Sequence, residues 1–239
     1  AGSGYLYTTE YYALAAARLA DGGVMCQWWP ASDLSNADFR SVVASFAQNF
    51  SYTTLWQSTY DAILIGSNRP IRLDLAALAK RIAQPRVARQ LARIGLDAPL
   101  PFLAELALDD AGVRAYAAGA PQNTDDNLYL EFSSPLAIGS TGAPTNVLSI
   151  DARRANPAVL VGDPTPLFAT HEEAAARLEA YRAAKQSSTQ IFFDARSENL
   201  GTRESLSGAN TRLRLLLREL PDYGPARVQL ANNLAQIAV

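Results

Sequence analysis

A single histidine, His171, and a single cysteine, Cys26, set the limits on what this 239-residue chain can catalyse. Paired Cys and His ligands for zinc or an iron–sulfur cluster are missing, and a Ser–His–Asp apparatus would hang on one candidate. His171 stands in Thr170-His171-Glu172-Glu173. Thr170 reads there as a helix cap, which makes His171 a solvated residue at a helix start rather than a catalytic one. Cys26 lies in the apolar run Val24-Met25-Cys26-Gln27-Trp28-Trp29 and reads as a buried, inert thiol. No G-x-S-x-G elbow is present, which disfavours a serine hydrolase. The acidic cluster that falls inside a motif is Asp125, Asp126 and Glu131. On a strand Asp125 and Glu131 would share a face and Asp126 would oppose them, so these carboxylates are not automatically a pair.

The elements that must position such residues can be read from period and punctuation. Thr8 is a plausible N-cap, Glu10 suits the first turn, and Tyr11, Leu14, Ala15 and Leu19 recur at helical spacing before Gly22-Gly23 stops the helix. Val24 to Trp29, closed by Pro30, predicts a strand buried on both faces. Ser35 with Asp38 at N3 predicts a capping box for a helix whose Phe39, Val42, Val43 and Phe46 line one side. Ser51–Trp56 and Tyr60–Gly66, separated by Gln57-Ser58-Thr59, predict an antiparallel hairpin. No glycine-rich turn of the G-x-G kind leads from a strand into a helix, so the usual backbone cradle for a nucleoside cofactor is absent.

Composition excludes several classes. Hydrophobic residues make up 49% and charged residues 18%, as in a folded globular protein, and 21 basic against 23 acidic residues leave −2 with no run of like charge. Nucleic acid is not an expected partner. Lys80 and Lys185 are the only lysines, so 19 basic residues are arginine, which fits a GC-rich bacterial coding bias. No apolar stretch reaches the length of a membrane helix, and nothing resembles a signal peptide, which leads to a cytoplasmic expectation.

Four blocks in order carry a resemblance: Tyr5-Leu6-Tyr7-Thr8-Thr9-Glu10-Tyr11-Tyr12; Leu19-Ala20-Asp21-Gly22-Gly23-Val24 with Gln27-Trp28-Trp29-Pro30; Tyr60-Asp61-Ala62-Ile63-Leu64-Ile65-Gly66-Ser67; and Asn123-Thr124-Asp125-Asp126-Asn127-Leu128-Tyr129-Leu130-Glu131-Phe132. Over residues 5 to 136 the chain resembles the second half of a spermidine synthase-like (aminopropyltransferase) domain, as found in long bacterial members. The resemblance implies an α/β fold, the C-terminal half of a Rossmann-like, class I methyltransferase-type sheet that ends in an antiparallel hairpin. It also implies that the cofactor glycines and the catalytic aspartate precede Ala1, so no catalytic residue is expected in this chain and no metal. The fragment alone would bind no cofactor and be inactive. The parent would transfer an aminopropyl group from decarboxylated S-adenosylmethionine to a diamine such as putrescine, and an N-terminal region could anchor it in a membrane.

The site of such a reaction must hold cations, which carboxylates and aromatic faces do. Gln27, Trp28 and Trp29, at the strand's C-terminal end, are therefore candidates for lining a polyamine pocket, with one tryptophan expected in the core by alternation. Tyr5 and Tyr7 are candidates because they follow the position of the family's gate loop, and Asp125 and Asp126 complete the candidate set. Two rival readings stay open: an S-adenosylmethionine-dependent methyltransferase on the same fold, and a non-catalytic helical module that docks a protein partner.

The remainder reads as helical. Residues 1–138 form the partial α/β domain, with a helical insertion over about 74–120: Asp74 caps one helix, Pro85 opens another that Gly95 ends, and Leu100–Leu106 and Val113–Tyr116 follow, before a strand over Asn123–Phe132. Gly139–Pro144 is the linker candidate. Residues 145–239 form a helical region with segments at Glu172–Lys185, Thr189–Asn199, Thr202–Leu220 and Pro225–Val239. Leu213, Leu216, Leu217 and Leu220 make an apolar face that resembles one helix of a tetratricopeptide repeat. Through this region a homo-oligomer or a protein partner is conceivable, and a sheet cut along one side would favour self-association.

Overall fold

Alternating apolar residues and well-placed caps build a mixed α/β chain, seen in a computed structural model that describes residues 4–32, 34–58, 60–139, 142–196 and 201–238. The strands are β1 (Val24–Pro30), β2 (Tyr52–Gln57), β3 (Asp61–Ser67) and β4 (Leu106–Leu108). The helices are α1 (Thr9–Ala17), α2 (Asn36–Ala47), α3 (Leu75–Ile82), α4 (Pro85–Ala92), α5 (Pro99–Leu103), α6 (Asp110–Ala117), α7 (Tyr129–Ser133), α8 (Gly142–Asp151), α9 (His171–Asp194), α10 (Arg203–Glu219) and α11 (Gly224–Ala238). The chain divides into two compact units, residues 1–71 with 106–155 and residues 72–105 with 156–239.

The first unit holds a four-stranded sheet in the order β1-β3-β2-β4, every neighbouring pair antiparallel. Because β1 and β2 are each antiparallel to β3, they run parallel to one another, joined by α2 as a crossover. The expected hairpin is β2–β3, closed by Ser58 N–H donating to the Asp61 carbonyl at 2.9 Å; Thr59 of its turn lies outside the described residues. Register sorts the side chains into two faces. Trp29, Ala62 and Gln57 stand in one row and Gln27, Leu64 and Leu55 in the next, on the face where α2 packs. Trp28, Ile63 and Trp56, with Cys26, Ile65 and Thr54, occupy the opposite face.

Local chemistry explains the helices. The Ser35 hydroxyl accepts from Asp38 N–H while an Asp38 carboxylate oxygen accepts from Ser35 N–H, the expected capping box, and it fixes α2 with Phe39, Val42, Val43 and Phe46 buried. Thr8 caps α1 by accepting from Tyr11 N–H at 3.2 Å, and Gly22 takes the left-handed φ of 69° beyond it. Gly66 must be glycine, since a Cβ there would lie 2.5 Å from the Phe50 ring.

Several expectations need correction. The β1 strand is not buried on both faces: Val24 and Trp28 are exposed, and Cys26 is an exposed free thiol because it stands on the uncovered face. In α1 the buried residue is Tyr12, whereas Leu14 is exposed. Residues 123–132 are not a strand: they are a loop leading into α7, turned by Leu128 at φ 40°. The insertion is not all helix, since Leu106-Ala107-Leu108 pairs with β2 as a buried fourth strand. Of the linker candidate, Ser140 and Thr141 lie outside the described residues, and Gly142–Pro144 begin α8.

The second unit is helical. α9 is one 24-residue helix where two were expected; Asn199 lies outside the described residues. Its core gathers Tyr181, Leu206, Ala209, Leu213, Tyr223 and Ala226, with Leu216 and Leu217 packed against it. Lys185 and Glu105 form a buried ion pair at 2.8 Å. Gly95, at φ 75°, ends α4 so close to α11 that a Cβ would lie 2.2 Å from the Gly224 carbonyl carbon.

Candidate functional site

The candidate residues are brought partly together by one buried side chain that was quoted only as the head of a motif. Asn123 is fully buried. Its amide nitrogen donates to the Gly4 carbonyl at 2.9 Å, its amide oxygen accepts from Leu130 N–H at 3.1 Å, its N–H donates to the Ser45 hydroxyl at 2.8 Å, and its carbonyl accepts from Thr9 N–H at 2.9 Å. It therefore ties the 3₁₀ turn Gly4–Tyr7, the start of α1, the last turn of α2 and the start of α7 into one knot. The bonds satisfy both ends of the buried Asn123 amide, which would otherwise stand unpaired away from water.

Around the knot the acidic loop is rigidly folded. Thr124 and Asn127 hydrogen-bond reciprocally through side chain and backbone, at 3.0 and 3.1 Å, and Asn127 also accepts from Tyr129 N–H at 2.9 Å. Asp125 N–H donates to the Glu10 carboxylate at 3.0 Å, which holds the loop against the first turn of α1. Both Asp125 and Asp126 present their carboxylates to solvent. Glu131, on α7, accepts from Gly4 N–H at 3.3 Å.

Aromatic rings form the adjoining wall. Tyr7 meets Trp29 edge-on at 4.3 Å between centroids, and Tyr12 meets Tyr11 at 5.5 Å and Phe46 at 5.0 Å. The Trp29 Nε1–H and the Tyr12 hydroxyl are buried with no hydrogen-bond partner in the structure. Burial first, and the neighbouring Tyr11 second, raise the Tyr7 phenol above its ordinary pKa; burial, then Tyr7 and Tyr11, push Tyr12 well above it. Both phenols are neutral at physiological pH.

The other candidates fall elsewhere. Gln27 shares the Trp29 face, and its amide donates to the Trp28 carbonyl at 2.8 Å. Trp28 points to the opposite face, where its Nε1–H donates to Asp61 at 3.0 Å. Tyr5 is exposed. So Tyr7, Gln27 and Trp29 lie on the α1–α2 side of the sheet, Trp28 lies on the other, and Asp125 and Asp126 sit on the loop that Asn123 and Glu10 anchor. Tyr12 and Asn123 are the members that sequence reasoning left out of the site. Asn-Thr-Asp-Asp-Asn does signal a turn, but nothing local reveals that its first residue is buried.

A second feature is an open groove of about 540 Å³ lined by Ser35, Asp38, Ser133, Leu136, Ala137, Gly142 and Thr145. The Asp38 carboxylate at its wall is already satisfied by Ser35 N–H, by the Ser35 hydroxyl at 2.6 Å and by the Ser133 hydroxyl, so it serves the α2 cap and the α7 contact. Nearby, Asn146 donates to the Ala31 and Leu34 carbonyls at 3.0 Å each, fixing the chain just after β1. Among the described residues no group of three His, Cys, Asp or Glu side chains is placed to hold a metal ion, and no helix is long and apolar enough to cross a membrane. Family models, curated proteins and solved structures yield no match to this chain.

Proposed function

We propose that residues 5–136 are the distal half of a spermidine synthase-like sheet, and that the parent protein moves an aminopropyl group from decarboxylated S-adenosylmethionine to a diamine such as putrescine. One observation carries this reading: β3 is inserted antiparallel between two parallel strands, with β1 outermost. That order suits the antiparallel finish of a class I methyltransferase-type sheet, in which further parallel strands continue beyond β1. Exposure along the outer face supports the same direction of growth. In the row Trp56, Ile63, Trp28 it rises from 8% through 36% to 53% toward β1, so the apolar surface is least covered where more sheet and its helices would lie.

In the reaction a neutral amine attacks the methylene next to the sulfonium. The C–N bond forms, the C–S bond breaks, methylthioadenosine leaves, and the amine's proton passes to a carboxylate. The proposal assigns the cofactor glycines and that carboxylate to a segment preceding this one. The residues present here contribute a wall: half-buried Tyr7, backed edge-on by the buried Trp29, offers aromatic surface to an alkylammonium chain, and the exposed Asp125 and Asp126 supply a negative field.

Isothermal titration of the 239-residue chain with S-adenosylmethionine, its decarboxylated form or methylthioadenosine should give no binding heat; tight binding would contradict the reading. The parent protein should turn putrescine and the decarboxylated co-substrate into spermidine, identified by mass. A product that carries only a methyl group would replace aminopropyl transfer with methyl transfer.

A further inference from the structure

The near-neutral charge of the whole chain hides a local excess of cations. Between Leu75 and Leu96 there is no acidic residue, while Lys80, Arg81, Arg86, Arg89 and Arg93 carry positive charge. Apolar residues separate them in sequence, so no run is visible, and two short helices bring them together. Along α4 and its C-cap, Arg86, Arg89 and Arg93 fall at i, i+3 and i+7 and form one stripe. All five side chains are exposed. Among the described residues none of the five makes an ion pair or a side-chain hydrogen bond, whereas Arg69, Arg114, Arg154, Arg177, Arg182, Lys185 and Arg212 are all paired.

The helix that bears the stripe is also unusual in its burial. α4 has no buried residue, Val87 and Leu91 are half-buried, and Ile94 beside them is 53% exposed. Its base is nevertheless firm, because Leu75, Ile82 and Leu96 are buried and Gly95 is seated against Gly224. The arginines are thus held outward on a fixed support, next to an exposed apolar side chain. Arginine forks match phosphate oxygens two at a time. Nucleic acid is the poorer fit, since no aromatic side chain lies between Leu75 and Leu96 for bases to stack on. Cations in one stripe with an apolar residue at its margin suit a helix lying in the plane of a lipid interface.

We propose that the α3–α4 hairpin is a peripheral docking surface for an anionic lipid bilayer, with the arginine stripe on headgroup phosphates and Ile94 entering the interface. This stands independently of the aminopropyltransferase reading. The test is co-sedimentation of the 239-residue chain with vesicles of phosphatidylcholine alone and of phosphatidylcholine with phosphatidylglycerol in equal parts. Binding is expected to the anionic vesicles only and to weaken as salt is raised. Each of Arg86→Gln, Arg89→Gln and Arg93→Gln should lower the partition coefficient about fivefold. Ile94→Ser should lower it further with the charge intact, and Arg218→Gln, an exposed arginine on α10, should leave it unchanged. Circular dichroism checks that each variant keeps its fold. Equal binding to both vesicles, undiminished binding by the triple arginine variant, an equal loss with Arg218→Gln, or binding of a single-stranded oligonucleotide in place of vesicles would each overturn the proposal.

Discussion

The two faces of the β1–β3–β2 sheet are made of the same kinds of residue and meet opposite fates. On one face, where α2 packs with its own Phe39, Val43 and Phe46 buried, Trp29, Leu64 and Leu55 are buried as well. On the other, Val24, Cys26, Trp28 and Ile63 reach solvent. Soluble chains seldom leave a contiguous apolar face bare without a use for it. The edge of β1 repeats the point, because seven residues without a charge run along the outside of the sheet, where natural edge strands carry lysines, bulges or a cover. Bareness is confined to the β1 side, since Thr54 and Trp56 of the same face are buried, so the described residues cover one face fully and the other only over β2.

Mutations can sharpen that contrast. The largest effect should come from the covered face: Phe46→Ala removes a ring at 5.0 Å from Tyr12 and 4.6 Å from Phe50 and should cost about 4 kcal/mol in denaturant unfolding. Gly66→Ala attacks the same space by overpacking, since the Phe50 ring would have to move, and should cost about 3 kcal/mol. Asn123→Ala leaves Leu130 N–H and the Gly4 carbonyl without partners and should cost about 2 kcal/mol, read as a lower melting temperature.

A smaller effect belongs to the sheet's rim. Asp110 holds the Thr53 N–H and hydroxyl at 2.9 Å each and pairs with Arg114. Its partial burial raises its carboxyl pKa, and the hydrogen bonds from Arg114 and Thr53 outweigh that, leaving it below the ordinary carboxylate value. A depressed folded-state pKa contributes stability that is present above the unfolded value and is lost as pH falls through the folded one. Asp110→Asn should therefore flatten the acid limb of the stability profile, by less than about 1 kcal/mol because the group is more than a third exposed and solvent screens it. The smallest change should be Trp28→Ala on the bare face, within about 0.5 kcal/mol despite the size of the side chain. A cost near that of Phe46→Ala would erase the contrast between the faces.

How far the sequence disclosed this follows from which interactions are local. The caps at Thr8, Ser35, Asp74 and Thr170 and the proline that opens α4 are contacts within a turn, and all stand where spacing put them. The tryptophan alternation was equally legible, with Trp29 in the core and Trp28 outside. β4 was not, because Leu-Ala-Leu fits either period and its pairing with β2 lies far away in the chain. Tyr129-Leu130-Glu131-Phe132 alternates like a strand, yet it forms α7 because Leu130 N–H is held by Asn123 and Leu128 turns the backbone. The gap expected in α9 sits at Gln186-Ser187-Ser188, where two serines are weak helix formers; Ser188 returns its hydroxyl to the Lys185 carbonyl at 3.0 Å, and the helix continues. In the site, the Tyr7–Trp29 contact and the Asn123 knot are tertiary and left no trace in spacing.

Cys26, on the bare face, reports most directly on whether the sheet is one end of a larger one. Its alkylation rate should be measured under native conditions in the 239-residue chain and in the longer gene product that the proposed function calls for. Rapid labelling is expected in the shorter chain and protection in the longer one, where added helices would cover Val24, Cys26 and Trp28. Equal, rapid labelling in both would contradict it.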